Sequence, residues 1–498
     1  MSWAIPPAAP AVLDHPAAET LAPVRARRIP PLAALLAAGA LIVIPGMNSA
    51  FGSDEVWSLN AVSGSHARML AILRADIHPP LYYELLFAWT RIFGTTEIAV
   101  RALTISLLLG AVWASYRWSS RIISTEAAAA ATAIYLSSPL TIVVSRLGRM
   151  YTLLALVSVL STYFYWRVFA EEDRRRRSLA WFVAANVLGS FTHIWFFFML
   201  FAEGLHLILF VRRNWLKFAL AGAASLVPYA VMWLPALVVQ MRKSQEALAW
   251  MTPPAREEIG NTFFLYTAPL LLLAPFFAWY ALRERRPMAK QVGGIVFMCA
   301  AVLAVPFAIS YIKPVFYPRF TVAGLHLFAV AVAACAPRLR MWQLPAVLCV
   351  LGAGISLFYT SRTACDARWG ADLLVREAES GDTVIFSSLS RLPVDHYLKT
   401  APLPAVTETS FPAEIDSHPG YEGNLGDPAR VRAMGIEADA LIAALRSRHG
   451  SIFFFHGFRP EVDAILEQRL KSAFQAVRDR SVDCGAMGCY YSAVTVYR

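Results

Sequence analysis

Eleven apolar runs separated by short polar joints fill most of the chain between residues 32 and 360. They lie near 32–47, 98–117, 124–142, 150–169, 178–192, 195–211, 216–238, 262–282, 291–311, 320–337 and 342–360. A bilayer's hydrocarbon core is ~30 Å thick and takes about 20 apolar residues of helix to cross. So many runs of that kind predict a polytopic α-helical membrane protein. Composition agrees: 57% of residues are hydrophobic and 16% charged, against roughly 45–50% and ~25% in soluble chains. That shift is too large for a water-soluble enzyme of 498 residues. Aromatic residues make up 12%, which excludes a disordered or fibrous chain. The net charge of +11 sits at the ends of apolar runs rather than on solvated basic faces. It therefore reads as membrane topology and not as a nucleic-acid surface.

Charge also divides the chain. Residues 366–498 hold 18 of the 34 acidic side chains and 14 of the 45 basic ones. A membrane domain over 25–363 and a soluble domain over 366–498 follow, with 1–24 as a disordered, Ala/Pro-rich cytoplasmic tail. Within 366–498, helical patterns (373–380, 438–448, 462–474) alternate with strand-like ones (383–386, 451–455, 493–497). That alternation predicts a small α/β domain, here an accessory domain that shapes or binds an acceptor or stabilises the whole. Cys299, Cys335 and Cys349 fall in apolar runs as inert thiols. A Cys484–Cys489 bridge is open if that part lies outside the cytosol.

Segment 79–93 (PPLYYELLFAWTRIF) decides the topology. It is apolar but short, and it carries Glu84 and Arg91. If it does not span, 19 basic residues gather on one side: Arg25–Arg28, Arg117/Arg121, Arg167 with Arg174–Arg177, Arg212/Arg213/Lys217, Arg283–Lys290 and Arg338/Arg340. The positive-inside rule then makes 79–93 an amphipathic helix on the outer surface. The N-terminus is cytoplasmic, and the loop 48–97 and the C-terminal domain are outside, as in a bacterial inner membrane facing the periplasm.

The first outer loop concentrates unusual chemistry. Asp54 and Glu55 follow the membrane exit directly, in FGSDEVW. Two adjacent carboxylates at an interface need cations, water or a metal, unless Ser53 or Asp54 merely caps a helix and Glu55 favours its positive end. Asp76 and His78 then precede a Pro-started helix, in DIHPPLYY. Arg101, Arg146, Arg149 with Tyr151, Arg242 and Lys243 with Trp250, and Tyr317 with Arg319 sit at the outer mouths of spans. Each arginine alone reads as a snorkelling anchor. Together, against the positive-inside bias, they point to an anionic ligand at the outer leaflet, with phosphate the natural partner of guanidinium forks. His193 lies at the end of a span, in FTHIWFFF, where it suits an interface or the pocket. Glu203 and His206 are spaced to pair across one helical turn.

FGSDEVW, DIHPPLYYELLFAWTRIFGTTEIAVR and SRLGRMY, in that order, resemble the GT-C glycosyltransferases of family 39 type. This family includes protein O-mannosyltransferases and the lipid A aminoarabinose transferase group. The resemblance runs from about residue 32 to 363 and is strongest over 51–151. It implies a GT-C bundle of about 11 transmembrane helices, with juxtamembrane helices in the first outer loop. It also implies transfer of a sugar from a polyprenyl-phosphate donor to a lipid, glycan or protein acceptor of the envelope. Asp54 matches the base that acts on the acceptor, Glu55 the second acid, and Arg101 an arginine near the donor phosphate. Arg149 and Arg319 match more loosely as further phosphate ligands, with Asp76, His78, Tyr151 and His193 as pocket candidates. No lumenal repeat domain of the eukaryotic members is present in the sequence, and 366–498 matches no module of the family. A divalent cation held by Asp54, Glu55, Asp76, His78 or His193 is left open. A transporter or flippase of a lipid-linked substrate is the alternative, but such proteins place polar residues at mid-depth, whereas here the ionisable ones gather in outer loops.

Overall fold

The structure, a computed structural model, describes residues 30–76, 78–247, 251, 253–273, 290–335, 343–361, 367–399, 401, 403–416, 425–457, 459–481 and 493–498. The expected tail 1–24, Trp250, and Cys365, Cys484 and Cys489 lie outside them, as do the side chains of Arg242, Lys243 and Cys335.

Helix α1 (Pro30–Val43) leads into three short helices, α2 (Ser53–Val62), α3 (His66–Ala75) and α4 (Leu81–Phe93). The bundle then continues through α5 (Glu97–Ser119), α6 (Thr125–Ser137), α7 (Pro139–Ser145), α8 (Tyr151–Tyr165), α9 (Arg176–Ser190), α10 (Phe196–His206), α11 (Trp215–Ala247) and α12 (Arg256–Leu271). It ends with α13 (Lys290–Ile309), α14 (Leu325–Cys335) and α15 (Gln343–Ser361). Among the described residues five helices are long and apolar enough to cross a membrane: Glu97–Ser119, Tyr151–Ala170, Trp215–Met241, Gln291–Ile309 and Gln343–Thr360. The α6–α7 pair, bent by 58°, makes a sixth span if counted as one. The bend is a consequence of Pro139, which removes an amide donor and holds Ser138 in extended backbone. Shorter apolar helices over Leu32–Val43, Phe196–Val211 and Pro318–Ala334 fall at three further predicted runs.

Segment 79–93 forms α4, which buries Tyr82, Tyr83, Leu86 and Thr90 and leaves Ile92 and Phe93 exposed. One continuous apolar core, from Leu35 to Leu348, holds the helices together. Glu203 and His206 are both buried in it but do not pair with each other. Glu203 accepts from Ser161 (3.0 Å) and Thr162 (3.3 Å), and His206 Nδ1 meets the Tyr165 hydroxyl at 2.7 Å. Hydroxyls on the facing α8 are nearer partners than the next turn of the same helix.

Beyond the bundle, α16 (Ala367–Glu377), α17 (Arg391–Leu398), α18 (Pro428–Leu445) and α19 (Pro460–Ala473) surround a five-stranded sheet. Its strands are β1 (Thr383–Ser387), β2 (Thr407–Phe411), β3 (Ile452–Phe455), β4 (Ala476–Ser481) and β5 (Ala493–Tyr497), in the order β2-β1-β3-β5-β4. Pairs β1/β2 and β1/β3 are parallel, β3/β5 and β4/β5 antiparallel. Alternate residues of a strand face opposite sides. Val384, Phe386, Phe453 and Phe455 therefore pack with Leu374 and Val394 on one face. Ile385 and Phe454 pack with Met434, Ile442 and Leu466 on the other.

Candidate active site

Glycine 46, at a φ of +97°, turns the chain out of α1 in a conformation that side chains rarely adopt. The carbonyls of the following segment thereby face inward onto Arg101. This guanidinium donates to the carbonyls of Gly46 (3.4 Å), Met47 (2.9 Å), Ser49, Ala50 (3.1 Å) and Arg146 (2.7 Å). It also forms a two-armed ion pair with Glu55, at 3.2 and 2.9 Å. Both side chains are 3% exposed. Glu55 accepts in addition from the backbone amides of Gly148 (2.7 Å) and Gly52 (3.1 Å). Every N–H of Arg101 is thus engaged by the protein, and the Glu55 carboxylate is enclosed by donors. The structure places Glu55, expected as a catalytic acid, and Arg101, expected as a phosphate ligand, against each other, and the pair pins the 46–50 segment and α2 to α5.

The same contacts dispose of the helix-cap alternative for Asp54. The N-cap of α2 is Gly52, and it is Glu55 that reaches back to the cap amide. Asp54 sits one turn position away, and its side chain is released for other work. Its Oδ2 accepts from Arg319 Nη1 at 3.0 Å, and the side chain is 46% exposed. Burial pushes the carboxyl up, but the charges of Arg149 and Arg319 and the Arg319 hydrogen bond outweigh it and hold Asp54 below its usual value.

Arg149 is buried behind Asp54. Its Nη1 donates to the Asp54 carbonyl (3.2 Å), Ser58 Oγ (3.1 Å) and the Tyr83 hydroxyl (3.2 Å), and its Nη2 to His78 Nε2 (2.8 Å). Trp57 lies against it, 5.7 Å from ring centre to guanidinium carbon. Arginine only donates, so His78 Nε2 carries no proton and its Nδ1–H faces Asp76 Oδ2, 3.4 Å away. Arg319 also donates to the Tyr317 hydroxyl (3.2 Å), and its guanidinium lies over the Tyr317 and Tyr151 rings at 4.8 and 5.7 Å. His193 stacks near Tyr151 and Phe320, with centroids 6.3 and 4.8 Å away. The Trp195 amide donates to its Nδ1 (3.1 Å). Burial above all, with the Arg149 charge nearby, pushes His193 down to about 3, so it is a neutral ring with its proton on Nε2.

The structure therefore gathers Asp54, Asp76, His78, Arg149, Tyr151, His193 and Arg319 around one site and withdraws Glu55 and Arg101 into its foundation. Arg146 is withdrawn too, bonded to Ser356 at 2.9 and 2.6 Å. Among the described residues no three His, Cys, Asp or Glu side chains come together as metal ligands. Trp57, Ser58 and Tyr83, which hold Arg149, went unread in the sequence. Trp57 and Ser58 stand one helical turn beyond Asp54, and that spacing is the signal that finds them.

The apolar bundle with its C-terminal sheet domain has the fold of solved structures of the GT-C type. In solved structures the chain is similar to ArnT from Cupriavidus metallidurans bound to undecaprenyl phosphate: TM-score 0.57, 13% identity, 94% of this chain and 97% of that chain covered. The apo form of the same protein aligns equally, at TM-score 0.57 and 13% identity over 93% of this chain and 97% of that chain. The oligosaccharyltransferase of Archaeoglobus fulgidus tethered with an acceptor peptide aligns at TM-score 0.45 and 11% identity, over 93% of this chain and 74% of that chain. No family model and no curated protein matches the sequence.

Proposed function

We propose that the protein is a membrane glycosyltransferase that moves a sugar from a polyprenyl-phosphate donor to an acceptor on the outer face of the inner membrane. The observation that carries this reading is the Asp54–Arg319 pair, half-open to solvent in front of the buried Arg149, in a fold shared with a protein solved with undecaprenyl phosphate bound.

The pair suits both halves of a displacement. Arg319 is 27% exposed on its side chain and an exposed ion pair is worth ~1 kcal/mol or less, so an arriving phosphate competes for it readily. As Arg319 turns to the phosphate, Asp54 is left ionised and without its partner. It then accepts the proton of the acceptor hydroxyl or amine. The acceptor oxygen or nitrogen bonds to the anomeric carbon while the carbon–oxygen bond to phosphate breaks, with inversion. Polyprenyl phosphate leaves, its growing charge met by Arg319 and by the field of Arg149 behind it. His193 and Tyr151 offer a neutral donor and an aromatic wall to the sugar. Glu55 and Arg101 hold α2 still throughout.

The test is mass spectrometry of lipids and envelope glycans from cells with and without the protein, together with titration of the purified chain with undecaprenyl phosphate. A sugar missing from one glycan or lipid in the deletion, and saturable binding lost in Arg319→Ala, are expected. Identical glycan and lipid profiles would sink the reading.

A further inference from the structure

The segment that leads into Asp54 is gripped from two sides. Arg101 holds its carbonyls from within the bundle. From the opposite side it is held by the C-terminal domain, through four contacts. The Phe51 amide donates to the Tyr397 hydroxyl at 2.8 Å. Ser53 Oγ donates to the Leu389 carbonyl at 2.9 Å. Arg368 Nη2 donates to the Asn48 carbonyl at 2.5 Å. The His396 ring meets the Phe51 ring edge-on at 5.6 Å.

Tyr397 is the joint between these contacts. Its hydroxyl accepts from Phe51 and donates to Glu97 Oε1 at 2.7 Å. Glu97 opens α5, the helix that carries Arg101. Arg368 approaches the same carboxylate at 3.9 Å. One phenol thus ties α17 of the sheet domain, the start of α5, and the backbone three residues before Asp54. A domain serving only stability has no need to touch this strip. Here four contacts fall within six residues, and they stop at the residue before the carboxylate.

We infer that the C-terminal domain completes the active site, with Tyr397 as a positioning residue for Asp54. The inference rests on Asp54 being the base. Without the phenol's hydrogen bond, Phe51 and Gly52 gain freedom, α2 starts less sharply, and Asp54 spends less time against Arg319. A base displaced by even about 1 Å loses much of its effect. The binding of lipid phosphate, which uses the arginines, is not touched.

Tyr397→Phe tests this, since it keeps the ring's packing and removes only the hydroxyl; Glu97→Gln, which weakens the other half of the bridge, is the second variant. Three measurements are made on the full chain. Hydrogen–deuterium exchange of a peptide covering residues 48–54 is expected to quicken about tenfold, with peptides inside α5 unchanged. Transfer in membranes, read by mass spectrometry of the glycosylated product, is expected to fall about tenfold in turnover while the Kd for undecaprenyl phosphate stays within twofold. The acid limb of the pH–rate profile is expected to move up as Asp54 drifts from its arginines. Unchanged exchange in both variants overturns the inference. Quickened exchange with unchanged turnover and acid limb also overturns it, reducing the contact to a tether between domains. If wild-type membranes transfer no sugar, the functional reading fails instead, and the positioning role falls with it whatever the exchange shows.

Discussion

Asp54 and Glu55 are neighbours with opposite fates because an α-helix turns each successive side chain by 100°. Glu55 is swung into the bundle against Arg101, and Asp54 out toward Arg319. Substitution separates the two roles. Asp54→Asn keeps size and cannot act as a base at neutral pH. Turnover is expected to fall by roughly 10²–10⁴-fold at saturating donor and acceptor, with the thermal midpoint lowered only slightly, because the half-exposed pair with Arg319 is worth ~1 kcal/mol or less and the cap of α2 is Gly52. A near wild-type rate in the purified variant would remove the mechanism. Glu55→Gln or Arg101→Ala strands a buried charge, a loss of roughly 3–5 kcal/mol, and is expected to show first as a lowered melting temperature and poor accumulation in membranes. The pH dependence has a definite sign. The carboxyl of Asp54 is held below the ordinary value of 3.8. Its contribution to stability is therefore complete above the unfolded value and is lost only as pH falls through the lower folded one. As a base it stays ionised through the whole neutral range, so the acid limb of the rate profile lies lower than an ordinary carboxyl would put it. Arg319→Gln removes one of the lowering charges and is expected to move that limb upward; a limb that stays put assigns the titration to another group. The acid pair was legible in the sequence because carboxylates at a membrane exit need a reason. Which of them works was not, because it depends on where Gly46 and Gly52 set the phase of α2.

Elements carry the same lesson. Among the strands, β1, β3 and β5 announce themselves by apolar runs such as TVIF and IFFF, and the structure places them within a residue of the sequence reading. The outer strands β2 (TETSF) and β4 (AVRDRS) were missed. They lie at the sheet's two ends, where one long edge faces no partner strand and polar residues are favoured. Helix α17 was missed as well; its eight residues are too few to show a period. The turn between α7 and α8 is equally opaque to pattern, yet it decides how close α2 and α5 come. A Cβ at Gly148 would lie 2.7 Å from Val100 Cγ1 and 3.2 Å from Glu55 Oε1. Gly148→Ala is therefore expected to destabilise by ~1–3 kcal/mol through overpacking, readable as a drop in melting temperature. Gly222→Ala in α11, where nothing lies within 4 Å, is the control, expected to be neutral or stabilising. Equal effects of the two would show that the closeness around Gly148 does not matter.

At the scale of the whole molecule the question is which side of the membrane the site faces, and two contacts bear on it. The Tyr397–Phe51 bond puts the C-terminal domain and the Asp54 loop on one side, however many spans lie between them. Arg149 stands just before α8, and the helix then runs from Tyr151 through the π-helical turn to Ala170. At 1.5 Å per residue those 20 residues cover ~30 Å, the full hydrocarbon thickness. The cluster Arg174–Arg177 therefore lies at the far end of the span from Arg149. By the positive-inside rule four consecutive arginines belong on the cytoplasmic side, and on that ground we propose that the site faces the periplasm. Charge on the site's side of the bundle is sparser and more consequential: Arg149 and Arg319 are spent on Asp54, Ser58, Tyr83, His78 and Tyr317 rather than on topology. Segment 79–93 is the hinge of this reading, since counting it as a span would reverse every later loop. The helix it forms, 13 residues from Leu81 to Phe93, is too short to span. A reporter active only in the periplasm, inserted near Gly64 or fused after Arg498, is expected to be active, and one fused near Arg175 silent. Activity at Arg175 with silence at Arg498 would place Asp54 and Arg319 in the cytoplasm, where a donor sugar presented on the periplasmic leaflet cannot reach them.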